Sequence, residues 1–289
     1  LGDICSFYQR GYSAAHAGVI AQLTGYQTLA HSSNTAVTIA DSLCMLQKSY
    51  RFDARSGIGQ LAKAINSGSM QKVDWVWQRD FEDIARFPID GQHYSQMIQT
   101  LAQEYSHYLK RIGQVVVDPN TEQPETTHQR AKHSLQLFAK CRLLCAVREG
   151  DFGISGLNQR IERALNARKM IQVQDEVWYH GRPVMVVRND HALGLYNGDI
   201  GLCLRDNSDG VERLKVFFEL PDGSVKAVLP SRVPEHETAY AMTIHKSQGS
   251  EFRNVVMWLP PAQGKAAAMV TRELIYTGLT RAKKGCVIL

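Results

Sequence analysis

Two runs without a polar residue, Val255-Val256-Met257-Trp258-Leu259 and Cys286-Val287-Ile288-Leu289, stand close together near the end of the chain. A strand with one wet face alternates polar and apolar residues, whereas a strand covered on both faces is apolar at every position, as in a parallel sheet flanked by helices. Ahead of the first run lies the polar stretch Thr243-Ile244-His245-Lys246-Ser247-Gln248-Gly249-Ser250-Glu251-Phe252. Between the two runs lies Ile275-Tyr276-Thr277-Gly278-Leu279-Thr280-Arg281-Ala282-Lys283-Lys284. The order polar tip, buried strand, helix, buried strand predicts a βαβ unit of an α/β parallel sheet, with functional groups at strand ends.

The polar tip is where chemistry is expected. Gly249 lets the backbone turn and approach a ligand, Lys246, Ser247 and Gln248 offer donors to phosphate oxygens or bases, and Glu251 is the one acid. Arg272, Arg281, Lys283 and Lys284 against Glu273 predict a basic helix with Arg281 near its C-terminal end. A guanidinium held there could neutralise charge on a transferring phosphoryl group. The residues alone are equally consistent with a solvated cationic helix beside a glycine turn.

The stretches at 243–252 and 275–284 resemble motifs V and VI of superfamily 1 helicases, and the wording H-K-S-Q-G-S-E-F is similar to the RecD branch. Leu46-Gln47-Lys48-Ser49-Tyr50-Arg51-Phe52 resembles motif IV of the same branch. The three motifs stand in the family's order, and the whole run of the chain is similar to the C-terminal part of that family, the alpha subunits of bacterial exodeoxyribonuclease V. The resemblance implies a RecA-like second motor domain of an ATP-driven 5′-to-3′ DNA helicase serving double-strand break repair and recombination. It implies that Arg51 and Arg281 contact the γ-phosphate, that Gly249 and Glu251 lie near the nucleotide, and that Thr243, His245, Lys246 and Ser247 face the DNA backbone. The implied cofactors are ATP and Mg2+ in the full-length parent. The implied partners are single-stranded DNA, the N-terminal motor domain of the same protein, and the beta and gamma subunits of the exodeoxyribonuclease.

One part of the family pattern is missing. No G-x-x-x-x-G-K-[ST] occurs, since Gly264-Lys265 lacks the upstream glycine and is followed by Ala266, so the phosphate cradle is absent. No Asp-Glu pair ends an apolar strand. The family carries both in its N-terminal motor domain, and the expectation is a second motor domain without the first, inactive towards ATP by itself.

With 289 residues and 44% hydrophobic content, there is core enough for one large domain or two modest ones. The six cysteines are scattered, and the closest pair, Cys141 and Cys145, sits in an apolar run. That spacing speaks against zinc and for buried thiols in a reducing compartment. With no apolar run of membrane-spanning length and no signal peptide, the expected place is the cytoplasm. Residues 241–289 hold seven Lys or Arg against two Asp or Glu, and residues 171–240 hold seven against eleven. A basic end beside an acidic middle points to phosphate-bearing ligands at the former, with ordinary surface variation as the plain alternative. No carboxylate cluster has metal-ligand spacing, which excludes nuclease chemistry here.

Elsewhere, Ser13 and Gly25 bracket one helix, Ser56 and Gly68 another, and Tyr94, Met97, Ile98, Leu101, Ala102, Tyr105 and Leu109 stripe a third as core rather than as a base-stacking platform. Trp75, Trp77 and Phe81 are read as packing residues. Residues 30–35 form a polar loop, 43–46 a short buried strand, 118–127 a mobile surface loop, and 142–147 a buried strand. Leu157, Ile161 and Leu165 stripe a helix on which Asn158 could donate to a DNA phosphate, with capping or solvent as alternatives. Residues 177–179, 183–187, 199–204, 214–220 and 225–229 read as five short strands of a small barrel. The resemblance implies an SH3-like insertion at that point. The fold expected is thus α/β: a RecA-like parallel sheet over 1–171 and 238–289, interrupted by an SH3-like barrel over 172–237.

Overall fold

A computed structural model describes residues 7–28, 38–44, 52, 55–117, 122–173, 177–261 and 267–289. The polar loop at 30–35, the second half of the strand expected over 43–46, and Arg51 lie outside the described residues. The chain divides into two compact units, 1–51 and 52–289. In the first, helix α1 (Ala14–Thr24) starts at Ser13, whose side chain accepts from His16 N, and ends at Gly25 with φ +78°.

In the second unit, helix α2 (Gly57–Ser67) begins at Ser56 and stops at left-handed Gly68, where a residue without Cβ carries the positive φ at no steric cost. Next come α3 (Met70–Trp77), β1 (Ile84–Arg86), α4 (Gly91–Ile112), α5 (Thr127–Phe138), β2 (Cys141–Cys145) and α6 (Ile154–Ala167). A small sheet follows, of β3 (Pro183–Val186), β4 (Ile200–Asp206), β5 (Arg213–Glu219), β6 (Val225–Val228) and β7 (His236–Thr238). The chain then adds β8 (Ala241–Thr243), β9 (Phe252–Trp258), α7 (Arg272–Leu279) and β10 (Ala282–Ile288). The large sheet has the order β1-β10-β9-β2-β8, and every pair in it is parallel.

Helices cover both faces of this sheet, as the apolar runs require. Leu143 and Cys145 of β2 join a core with Leu101, Tyr105 and Leu109 of α4, Phe138 of α5 and Ile161 of α6. Leu144, one residue out of phase, joins Ile58 and Leu61 of α2, Val76 of α3 and Leu274 and Leu279 of α7. The α4 stripe is core, with Leu101 and Ala102 fully buried. Trp75 departs from its reading: it is exposed, with the Arg79 guanidinium 4.0 Å from its ring centroid.

The small sheet is antiparallel in the order β6-β5-β4-β3-β7. Residues 177–179 form no strand, and β7 stands in their place. One face holds its own core of Val184, Val186, Cys203, Val216 and Phe218. From the other, Leu202, Leu204 and Phe217 enter the core beneath α4, α5 and α6. Four buried tyrosines bind the two sheets: Tyr105 Oη donates to Tyr240 O at 2.7 Å, Tyr108 Oη donates to Gly181 O at 2.8 Å, and Tyr179 Oη donates to Glu162 at 2.7 Å and lies 3.3 Å from Tyr240 Oη.

Part of the expected mobile loop is tied down. Glu125 N donates to Val116 O at 2.9 Å, the Glu125 carboxylate pairs with Arg111, and Thr126 with Gln129 forms a capping box on α5. Residues 118–121 lie outside the described residues.

Candidate functional site

Strand register fixes where the polar tip lies. Cys145 is opposite Thr243 on one side and Trp258 on the other, which puts those residues in one row at the carboxyl edge of the large sheet. Ala282 is opposite Phe252, which marks the amino edge. The connection at 244–251 therefore leaves the carboxyl edge after Thr243 and returns to the sheet at the amino edge before Phe252. With β9 rising about 3.3 Å per residue, the two edges are roughly 20 Å apart.

Where the connection leaves β8, the hydroxyls serve the turn itself. Thr243 Oγ1 accepts from Lys246 N at 3.3 Å, and Ser247 Oγ donates to Ile244 O at 2.7 Å. Both residues are buried, while His245 is exposed. Lys246 Nζ donates to Asn197 Oδ1 at 2.6 Å, joining the tip to the β3–β4 connection of the small sheet. Gly249, at φ +86°, turns the chain in a region side-chain-bearing residues rarely adopt.

At the amino edge the two motif segments meet. Arg281 Nε donates to Thr277 O at 3.1 Å, one terminal nitrogen to Ser250 O at 3.2 Å and the other to Thr280 Oγ1 at 3.4 Å. Phe252 N donates to Arg281 O at 2.9 Å. Lys283 Nζ is 2.6 Å from the Glu251 carboxylate. Gly278 lets α7 lie close against the sheet, because a Cβ there would come within 2.6 Å of Met257 Sδ and 3.3 Å of Ile244. On the same edge, Asp83 accepts from Ser56 Oγ, Gly57 N and Ile58 N at 2.8, 2.8 and 3.2 Å, closing the start of α2.

Three sequence readings change. Arg281 follows α7 instead of ending it, and Lys283 and Lys284 belong to β10, so the expected basic helix is short and its cations are spread along an edge. Glu251 and Arg281 precede their strands, so they occupy amino ends, whereas the βαβ pattern had pointed to carboxyl ends. Asn158 is buried, its amide donating to Thr238 O and accepting from Ala241 N, each at 2.9 Å. The amide, bonded through both its nitrogen and its oxygen, braces β7 and β8 against α6. No local pattern marks this brace, the Lys246–Asn197 link or Asp83 as a helix cap, since each joins residues remote in the chain. Among the described residues, no cluster of His, Cys, Asp or Glu could hold a metal ion, and no helix is long and apolar enough to cross a membrane.

Residues 238–289 match the UvrD-like helicase C-terminal domain, and residues 157–218 match the SH3 domain of ATP-dependent RecD-like DNA helicases. Across 98% of its length the chain is 36% identical to the RecBCD enzyme subunit RecD of Haemophilus influenzae, of which it covers 42%. The chain is homologous to RecD. A second RecD, from Buchnera aphidicola, is 26% identical over 97% of the chain, which covers 45% of it. The ATP-dependent RecD2 DNA helicase of Deinococcus radiodurans is 30% identical over 49% of the chain and is covered to 19%. The chain thus spans less than half the length of the RecD proteins it matches. With helices on both faces of a parallel sheet and a smaller antiparallel sheet beside it, the fold is α/β.

Proposed function

We propose that the chain is the second motor domain of an ATP-driven 5′-to-3′ DNA helicase, acting as the alpha subunit of exodeoxyribonuclease V in the cytoplasm. In this reading the motor is formed by 1–171 with 238–289 and is interrupted by the SH3-like segment 172–237. The observation that carries it is the connection at 244–251. One end holds His245 and Lys246 at the surface of the carboxyl edge, where a DNA strand would be met, while the buried Thr243 and Ser247, also expected to face the DNA backbone, shape the turn that carries them. The other presents Gly249 and Glu251 beside Arg281 at the amino edge, where a nucleotide would be met.

The donor set fits part of an ATP site. ATP and Mg2+, when bound in the parent, supply the phosphoryl group and the cation that neutralises it. Arg281 is aimed by two carbonyls and a hydroxyl, and such a fixed guanidinium meets transition-state charge without reorganising. Arg51 would join it from motif IV. The cradle for the phosphates is to come from the N-terminal motor domain. The chain alone should therefore hydrolyse no ATP above background, and a DNA-stimulated ATPase assay on it tests this. Sustained magnesium-dependent turnover that survives Arg281→Ala would overturn the reading.

The alternative reading is a stand-alone RecD-like helicase that works without partner subunits. Co-purification of the full-length protein with the beta and gamma subunits separates the two.

A further inference from the structure

Helix α4 runs into a short extended segment that plays no part in the assignments above. Val115, Val116 and Val117 follow shortly after its last turn and are 62%, 45% and 56% exposed. Single exposed apolar residues are ordinary, but three in succession are out of place on a surface that touches nothing. Nor do these valines sit on a loose end. Val117 is bridged antiparallel to Pro124, Glu125 N donates to Val116 O at 2.9 Å, and the Glu125 carboxylate pairs with Arg111. These bonds hold the segment at the surface.

Beside it opens a cleft of about 560 Å³ between α4 and α5, at the start of β2 and β9. Gln114, which leads into Val115, lines this cleft, and Arg111 Nη1 donates to Gln114 O at 3.1 Å, so the segment and the cleft share a rim. Lys110 of α4, Lys140 of the α5–β2 turn and Arg253 of β9 also line it, and all three are exposed. Glu104 is the one acid among the described residues that do so.

We infer that the valine segment and the cleft form one docking surface for a partner protein. The partner offers an extended segment with apolar side chains against the valines and carboxylates against Lys110, Lys140 and Arg253. Complementarity selects this occupant. The cations alone would suit a nucleic acid, but a phosphate backbone leaves the valines uncovered, whereas an acidic segment with apolar residues matches both halves of the surface. The cleft lies on the face of the large sheet covered by α4 and α5, and α2, α3 and α7 pack on the other. Docking there needs neither the DNA contacts nor the nucleotide contacts proposed above.

Fluorescence anisotropy with the full-length parent tests this, using a labelled peptide Val-Leu-Val-Gly-Glu-Glu-Asp-Glu and two controls, one with Gln for every acid and one with Ser for every apolar residue. The parent should bind the first peptide at least about 10-fold more tightly than either control, which is the worth of one buried valine side chain. Val115→Thr with Val117→Thr should remove the advantage over the Ser control, and Lys110→Gln with Lys140→Gln the advantage over the Gln control. All four positions are exposed, so the fold is spared, and an unchanged urea midpoint verifies it. Equal affinity for the three peptides, or advantages that survive both double variants, overturns the inference. So does an oligothymidylate that displaces the peptide and binds equally to the wild type and to Val115→Thr with Val117→Thr, since the cleft is then a nucleic-acid surface. Binding by the present chain but not by the full-length parent also overturns it, because another part of the same protein then covers the surface.

Discussion

The two edges of the large sheet hold their polar groups differently. At the amino edge, Arg281, Ser250, Phe252 and Thr277 are locked through main-chain atoms, and Asp83 closes the start of α2 with three bonds. At the carboxyl edge, charged side chains make single long-range links: Lys246 to Asn197, and Arg148 to Glu237 at 2.7 Å with the arginine 56% exposed. Exposed links of that kind are individually weak, about 0–1 kcal/mol. A locked guanidinium suits a charge that develops at one fixed point, whereas cations on weak tethers can exchange their protein partners for the phosphates of a strand.

The largest expected effect breaks the locked edge. In the full-length parent with saturating single-stranded DNA, Arg281→Ala should lower steady-state ATP turnover by about 10³–10⁵ while changing nucleotide affinity little. Arg281→Lys should restore little of it, since an ammonium does not reproduce the planar fork. Next comes the brace behind the carboxyl edge. Asn158→Ala leaves Thr238 O and Ala241 N buried without their partner, at about 1–3 kcal/mol for each group, and a urea titration of the chain should show a matching drop in midpoint. If stability is unchanged, the brace is not what positions β8.

The small sheet supplies a pH-dependent control on both edges. Burial raises the Asp206 carboxyl, but Lys215 at 2.7 Å and the hydroxyls of Ser208 and Thr127 outweigh it and hold the group well below the usual carboxylate range. Because the folded value is depressed, its stabilisation is full above the unfolded value of about 3.9 and is lost as pH falls below it. Lys215→Met should lower the thermal midpoint at neutral pH and flatten its fall below about pH 4. An unaltered acid profile would remove Asp206 from the account. The smallest effect belongs to the exposed Glu251–Lys283 pair: Lys283→Ala should change chain stability by less than about 1 kcal/mol, by the same urea titration.

Much of the parallel sheet could be read from the chain because its strands are apolar on both faces, as in β2 and β9, and because Ser13, Ser56, Gly25 and Gly68 cap helices through local bonds. The proximity of the two motif segments was also legible. Which edge each one occupies was not, since a polar stretch between two strands carries no mark of how far it travels, and the registers of Cys145 with Thr243 and Trp258 and of Ala282 with Phe252 settle it. Val177 reads as strand but is 66% exposed, whereas the polar triplet of β7 pairs with β3 through its backbone. Periodicity finds apolar faces and is blind to strands held by main-chain pairing alone.

The central claim is that one connection carries DNA contacts at one end and nucleotide contacts at the other. Its most direct test is to measure both ATP turnover and single-strand affinity in the full-length parent for Arg281→Ala and Lys246→Ala. Arg281→Ala should lose turnover and keep DNA affinity. Lys246→Ala should weaken DNA binding, with a shallower salt dependence from the lost phosphate contact, and should keep turnover once DNA is saturating. Loss of both properties in each variant, or of neither, would contradict the division of the site between two edges.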